Sequence, residues 1–339
     1  MSRPARVAVV GAGRMGGYHA RVYHDLPEAE LVAVVDVSRE RAEQVAQPYG
    51  ARALTSLDEL PDGIDAVSLA VPTIHHRSAA LALLERRIAL LIEKPLAATV
   101  AEAEEIVTAA RRSGCPLTVG HTERFNPVVG AIERLAIRPR FIETTRISPF
   151  SFRSADIGVV ADMMIHDIDI VLHLVRAPWT RVDAVGVNVL VRHEDVANAR
   201  VCFENGVVAN LTASRLALKT ERRIRVFSES AYVSADYQKK TGVAITKSAN
   251  LDILKMAQDG RFEDLSQMQG VDFGKLVVVE PLVFENADPL RSELSAFLES
   301  VRTGRPPAVS AEDGLNAMKL ASEIAEAVKK QAWASPRAE

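Results

Sequence analysis

Two sets of residues in this chain have the types and the spacing to do chemistry. The first is Gly11, Gly13 and Gly16, in a Gly-Ala-Gly-Arg-Met-Gly run directly after an apolar stretch. In such a run the first glycine permits a tight turn and the second lets a pyrophosphate approach the backbone. The third lets a helix pack closely on its strand. Arg14 and Met15 open that helix, whose first N–H groups suit an anion. Asp36 stands about 20 residues after the last glycine, at the end of the next apolar run. A carboxylate there accepts both ribose hydroxyls of NAD and repels the 2′-phosphate of NADP. NAD is therefore the expected cofactor and NADP the less favoured one, a preference that the nearby Arg39 would soften. The second set is Glu93-Lys94-Pro95 together with Asp162 and, four positions on, His166. Asp162 and His166 share one helix face, and Asp169 and His173 extend the stripe. A carboxylate facing a histidine sets its tautomer and raises its basicity, as a general base requires. No further ligand motif converges on the stripe, so no metal is expected.

The elements that must position these residues are legible from patterning. Apolar runs at Arg6–Val10, Leu31–Asp36, Ala51–Leu54, Asp65–Ala70, Ala89–Glu93 and Pro116–Gly120 alternate with helix-like stretches. The helical stretches are Arg14–His24, Arg39–Tyr49, His75–Arg87 and Val100–Ser113. Runs that are apolar throughout belong to strands buried on both faces, and the alternation predicts a doubly wound parallel sheet, the Rossmann arrangement. Ligands of such a sheet bind beyond the carboxyl ends of its strands, which aims Lys94 at the cofactor crevice. Past residue 122 the character changes. Helices are expected over Glu123–Ala136 and Val159–Val175. Extended runs follow at Arg181–His193, Asn198–Glu204, Val207–Leu216, Arg222–Ser228 and Lys275–Glu285. Asn205-Gly206 between two of them signals a two-residue hairpin. Ser248–Gly270 reads as a polar loop or excursion, and Pro289–Thr303 and Ala311–Trp333 as closing helices. The expectation is an α/β Rossmann domain over 1–122, then an α+β domain over 123–339 built on a large, mostly antiparallel sheet.

Bulk properties remove other classes. The chain has 339 residues, 41 Lys plus Arg against 44 Asp plus Glu, and a net charge of −3, without the basic footprint of a nucleic-acid binder. No apolar run approaches the roughly 20 residues of a membrane helix. The early apolar run is too short for a secretory leader, and two cysteines make no disulfide framework. A cytoplasmic protein is expected, with no nucleic-acid or membrane partner.

These features together resemble the Gfo/Idh/MocA family of NAD(P)-dependent sugar and cyclitol oxidoreductases. The resemblance rests on the Gly-Ala-Gly-Arg-Met-Gly turn, Ala70-Val71-Pro72-Thr73-Ile74-His75-His76, Glu93-Lys94-Pro95, and Asp162-x-x-x-His166 with Asp169 following. It spans essentially the whole chain. The resemblance implies that Lys94 and His166 flank the hydroxyl being oxidised. His166 then takes its proton, Asp162 holds His166, and Lys94 stabilises the negative oxygen. It also implies cofactor contacts from Pro72, His76, Glu93, Lys94 and His121, and an open sheet face that helps form a homodimer or homotetramer. One departure stands at Thr122, where many members carry Asn; that contact is either lost or taken over by His121 or Glu123.

Two stretches, Val119–Pro127 and Arg146–Asp169, resemble the branch of the family that oxidises the 3-hydroxyl of UDP-N-acetylglucosamine. Such enzymes make a 3-keto nucleotide sugar that an aminotransferase partner converts for lipid A biosynthesis. Glu123, Arg124 and Arg153, with Lys94, Asp162 and His166, are the implied substrate residues. Arg146, Arg153, Arg215 and Lys219 are the cations that could neutralise a second pyrophosphate. A free-sugar or inositol dehydrogenase is the alternative of the same chemistry. A non-catalytic NAD-dependent sensor and a glycoside hydrolase working through a transient 3-keto sugar are alternatives of other classes.

Overall fold

The computed structural model describes residues 3–152, 157–247 and 277–331. Arg153 and the Ser248–Gly270 stretch lie outside them. The chain divides into two compact units, Met1–Asn126 with Val160–His173 and Ala287–Glu326, and Pro127–Val159 with Leu174–Asn286 and Ala327–Glu339. A single cut after residue 122 does not describe this division. The Asp162–His166 helix and the closing helices return to the first unit.

The first unit is built on six parallel strands in the order β3-β2-β1-β4-β5-β6. They are β1 (Ala5–Val10), β2 (Ala29–Val35), β3 (Arg52–Leu54), β4 (Ala66–Leu69), β5 (Ala89–Glu93) and β6 (Leu117–Gly120). Every residue of β4, β5 and β6 is buried, as strands covered on both faces must be. The order reverses between β1 and β4, which opens a crevice at their carboxyl ends. Residue choice sets the helix limits. Ser38 caps Arg39–Ala46 by accepting from the Arg41 amide, and Thr99 caps Val100–Ser113 through the Glu102 amide. The helix Pro289–Thr303 buries Leu294, Phe297 and Leu298 against Val9, Tyr23 and Leu91.

The second unit carries eight strands in the order β14-β13-β12-β11-β7-β10-β9-β8. These are β7 (Phe141–Ile147), β8 (Trp179–Val187), β9 (Val196–Phe203), β10 (Val208–Ser214), β11 (Glu221–Phe227), β12 (Ala231–Asp236), β13 (Thr241–Lys247) and β14 (Val277–Pro281). All neighbours run antiparallel except β7 and β10, whose parallel register pairs Val208 with Phe141. The buried face of β9 and β10 is made of small residues, Ala197, Ala199, Ala209 and Ala213, with Val201 and Leu211. The opposite face is polar. It pairs Asn198 with Thr212 at 2.8 Å and Arg225 with Glu143 at 3.3 Å.

Three strands, β7, β12 and β13, are absent from the sequence reading. On β7 the buried positions are Ile142, Thr144 and Arg146, so the face turned to the core carries no apolar alternation. The expected helix over Glu123–Ala136 is a 3-10 turn, Thr122–Phe125, followed by a helix over Pro127–Arg134. The Asn205-Gly206 turn also differs in kind. Only Gly206 takes a positive φ, +81°, and the Phe203 amide donates to the Val207 carbonyl at 2.9 Å. A two-residue type I′ turn needs positive φ at both central residues, so this is a three-residue loop with its glycine in the left-handed position.

Candidate active site

The carboxyl end of β1 turns at Gly11, whose φ of +101° suits glycine. A Cβ on Gly11 would lie 2.5 Å from the Ala70 carbonyl oxygen, and one on Gly16 only 1.7 Å from the Gly11 oxygen. Nothing lies within 4 Å of where a Gly13 Cβ would be. Two of the three glycines therefore fit strand to strand and helix to strand, while the third leaves open backbone. Gly13 is also the residue before the helix Arg14–Asp25, and no side chain caps that end. Its first amides remain suited to a phosphate.

Asp36 Oδ2 accepts from the Ala12 amide at 2.9 Å, and Oδ1 accepts from the Ser38 amide at 2.9 Å. Arg41, rather than Arg39, reaches Asp36: its Nε and Nη2 donate to Oδ1 at 3.1 and 2.8 Å. Arg39 instead faces Glu43 at 3.5 Å. Burial alone would raise the Asp36 pKa, but the Ser38 amide, Arg41 and the Ala12 amide outweigh it and hold the carboxyl below its usual value. An ionised carboxylate fixed against the glycine turn fits the ribose of NAD. Asp36→Ala is expected to weaken NAD binding about 10- to 100-fold, the worth of a charge-assisted hydrogen bond, and NADP much less. Titration calorimetry with both nucleotides checks this; equal weakening would sink the ribose assignment.

Lys94 follows the fully buried β5, and its bond to Pro95 is cis. The half-buried ammonium donates to the Asp162 carbonyl at 2.9 Å and lies 3.5 Å from Asp162 Oδ1. Asp162 sits in a π turn, Val160–Met164, which runs into the helix Ile165–Val175 carrying His166. Such turns break the regular hydrogen-bond ladder and recur at functional sites. The structure thus pairs Asp162 with Lys94, the group expected on the other side of the substrate hydroxyl. His166, half-buried, follows at the start of the regular helix.

The rest of the stripe has a structural use. Arg124 is buried, and its Nε and Nη2 donate to the two Asp169 oxygens at 2.8 and 2.5 Å. Its Nη1 meets His173 Nδ1 at 2.7 Å. A guanidinium committed in this way braces the helix Ile165–Val175. His76 is also buried, with Nδ1 3.0 Å from the Pro95 carbonyl and Nε2 3.0 Å from that of Val71. Burial lowers its pKa against the three carbonyls around it. It clasps the loops after β4 and β5. Pro72 is exposed at the head of the 3-10 turn Thr73–His75, and Glu123 Oε2 accepts from Asn126 at 3.3 Å.

Behind Lys94 lies a buried polar seam that the sequence motifs do not reveal in full. Nε2 of His19 lies 3.0 Å from Glu93 Oε1. The two ring nitrogens of His121 have no hydrogen-bond partner among the described residues, and burial lowers its pKa. Thr122 donates to Glu293 Oε2 at 2.8 Å. Glu293 and His19 stand in ordinary amphipathic helices, where no spacing marks them. Arg146 and Arg215, read as pyrophosphate partners, are buried in the second unit. Arg146 lies over the Tyr237 ring, and Arg215 Nε donates to Asp195 Oδ1 at 2.6 Å. Among the described residues no group of three His, Cys, Asp or Glu could hold a metal ion. No described helix is long and apolar enough to cross a membrane.

Comparison with known proteins agrees with this geometry. UDP-N-acetylglucosamine 3-dehydrogenase of Acidithiobacillus ferrooxidans is 37% identical over 237 residues, 70% of this chain and 75% of that one. A solved structure of the same enzyme superposes with a TM-score of 0.86 at 31% identity, covering 97% of this chain and 98% of its own. Myo-inositol 2-dehydrogenase of Thermotoga maritima is 27% identical over 93% of both chains. Residues 5–121 match the NAD-binding Rossmann fold of the oxidoreductase family, and residues 138–234 match the GFO/IDH/MocA C-terminal domain. A glycine turn with its carboxylate, a strand-end lysine held on a π turn and both matched domains place the chain in the GFO/IDH/MocA family of NAD-binding oxidoreductases.

Proposed function

We propose that this protein oxidises the 3-hydroxyl of UDP-N-acetylglucosamine to the ketone, with NAD as hydride acceptor. The observation that carries the reading is the Lys94 ammonium at the carboxyl end of β5, held 2.9 Å from the Asp162 carbonyl with His166 one turn further on. NAD, when bound, supplies the acceptor for the hydride. Gly11, Gly13, Gly16 and Asp36 would hold it, with Arg14 and Met15 at the helix start. His166 removes the hydroxyl proton as the C–H bond breaks, and Lys94 donates to the oxygen as negative charge gathers there. Asp162 keeps the ammonium aimed and sets the charge balance beside His166. His166→Ala is expected to lower kcat about 10²- to 10⁴-fold, the usual worth of a positioned base. It should also abolish the fall of kcat toward acid pH; a variant that keeps that fall has its base elsewhere.

The sugar assignment leans on the Acidithiobacillus relative and on the Val119–Pro127 and Arg146–Asp169 stretches. Arg153 remains a substrate candidate on the resemblance alone. A free cyclitol is the second reading, favoured by end-to-end similarity to an inositol dehydrogenase. NADH absorbance with NAD and a panel of UDP-N-acetylglucosamine, other UDP-sugars, myo-inositol and glucose separates the two. An aminotransferase and amino donor belong in the assay, because they draw off an unfavourable ketone. That pairing is also the proposed cellular role, a cytoplasmic homo-oligomer feeding a 3-keto sugar to an aminotransferase for lipid A biosynthesis. Reduction with inositol alone would overturn the substrate and leave the mechanism standing.

A further inference from the structure

Glu293 is a carboxylic acid that the reaction above does not use, yet it is fully buried beside the reacting lysine's strand. It projects from the helix Pro289–Thr303. Oε2 accepts from Thr122, and Oε1 has no hydrogen-bond partner among the described residues. The Glu93 side chain crosses the same spot: a Cβ on Gly120 would lie 3.1 Å from its carboxyl carbon and 3.2 Å from Oε1. Glycine at 120 is what makes room for that carboxyl. Two carboxyls therefore stand near the end of β6, with His19 against an oxygen of Glu93 and Thr122 against an oxygen of Glu293.

We propose that Glu293 is a positioning residue for Lys94, acting as a neutral carboxyl that accepts from Thr122 and leaves the neighbouring Glu93 undisturbed behind the site, and that its ionisation sets an alkaline limit on turnover. The groups facing it bear this out. Glu93 from β5 and Asp169 from the helix Ile165–Val175 carry negative charge, and Tyr23 comes from the helix Arg14–Asp25. His121 and His19 border the seam, and the Arg124 guanidinium is already committed to Asp169. No described cation pairs with Glu293, so a charge there has little compensation. Burial first, then the Glu93 and Asp169 charges against the Thr122 donor, hold its pKa well above the usual carboxylate range. Once ionised, it repels Glu93, the residue joined to Lys94, and the lysine loses its aim.

The proposal rests on the assignment of Lys94 above, but its first test does not. The raised native pKa means that stability is complete below the unfolded carboxylate range and is lost as pH rises toward the native pKa. Glu293→Gln mimics the neutral acid. Its Tm is expected to gain on the wild type steadily as pH rises above the unfolded carboxylate range, because only the wild type pays for ionisation. Parallel Tm profiles would overturn the proposal, whatever the substrate. With the active substrate, Glu293→Gln should keep kcat within about threefold at neutral pH and move the alkaline loss of kcat upward, leaving KM little changed. Glu293→Ala should lose about tenfold or more at every pH. A Gln variant as impaired as the Ala variant would mean that the carboxyl works ionised, and the idea falls. Thr122→Val gives an independent check: removing the donor that favours the charged form should also move the alkaline limb upward, and an unmoved or lowered limb counts against the proposal.

Discussion

Lys94→Ala is expected to lower kcat by about 10²- to 10⁴-fold, the range for losing a donor to a developing oxyanion, while NAD still binds. The asymmetry follows from where the two sets of groups stand. The turn, the open backbone at Gly13 and the Asp36 carboxylate surround the end of β1, whereas the ammonium leaves the end of β5. β4 lies between them. Its hydrogen bond to the Asp162 carbonyl shows that the lysine is fixed before any substrate arrives. An arginine at 94 keeps the charge but presents a planar fork where a point donor is needed, so Lys94→Arg should rescue little. Nucleotide titration beside single-turnover rates decides the matter. Turnover within about fivefold of the wild type would remove Lys94 from the chemistry.

The largest expected loss of stability lies elsewhere, in Asp195→Ala. Asp195 is fully buried, and its Oδ2 accepts from the amides of Val189 and Leu190 at 2.7 and 2.6 Å. Its Oδ1 holds Arg215, which in turn reaches the Ile157 carbonyl at 2.8 Å and covers the Phe150 ring. Removing the carboxylate strands a buried guanidinium and several amides, a change that costs about 3–5 kcal/mol. For a unit of this size that is about 6–20 °C in Tm. The exposed pair Arg77–Glu105 is the control, and breaking it should leave Tm close to that of the wild type. The pH dependence has the opposite sign to that of Glu293. Burial alone would raise the Asp195 pKa, but the Leu190 amide, Arg215 and the other amides overturn that and lower it. Its contribution is present above the unfolded carboxylate range and fades as pH falls through the native value. A thermal shift of only a degree or two in Asp195→Ala would show that the ladder of amides is held by other means.

The doubly wound sheet is legible in the sequence, and part of the second sheet is not. Strands buried on both faces announce themselves as unbroken apolar runs, so β1 to β6 are legible to within two residues at most ends. Glycines and a carboxylate at fixed offsets are legible for the same reason: their physics is local. β7 is not, because Thr144 and Arg146 fill its core-facing positions, and Arg146 lies over the ring of Tyr237, some ninety residues further along the chain. The partners of Arg124 and Arg215 are hidden in the same way. A basic residue near a site invites an anionic ligand, and only tertiary structure shows Asp169 and Asp195 already there. Arg41 displaces Arg39 by geometry alone, since about half a turn of helix decides which guanidinium returns to Asp36. Glu293, some two hundred residues from Glu93 in the chain, carries no signal at all until the closing helices return to the first unit.

That return also bears on how such proteins diversify. The lysine, its π turn and the histidine travel with the nucleotide-binding unit, although the chain reaches them only after leaving that unit and coming back. A recombination event with one breakpoint near residue 122 would therefore part the acid–base groups from each other. Exchanging the large sheet whole would require two separate segments, Pro127–Val159 with its central strand and Leu174–Asn286, to be inherited together. A fragment cut once near residue 122 keeps either Lys94 or the Asp162–His166 turn, never both, whichever side is retained.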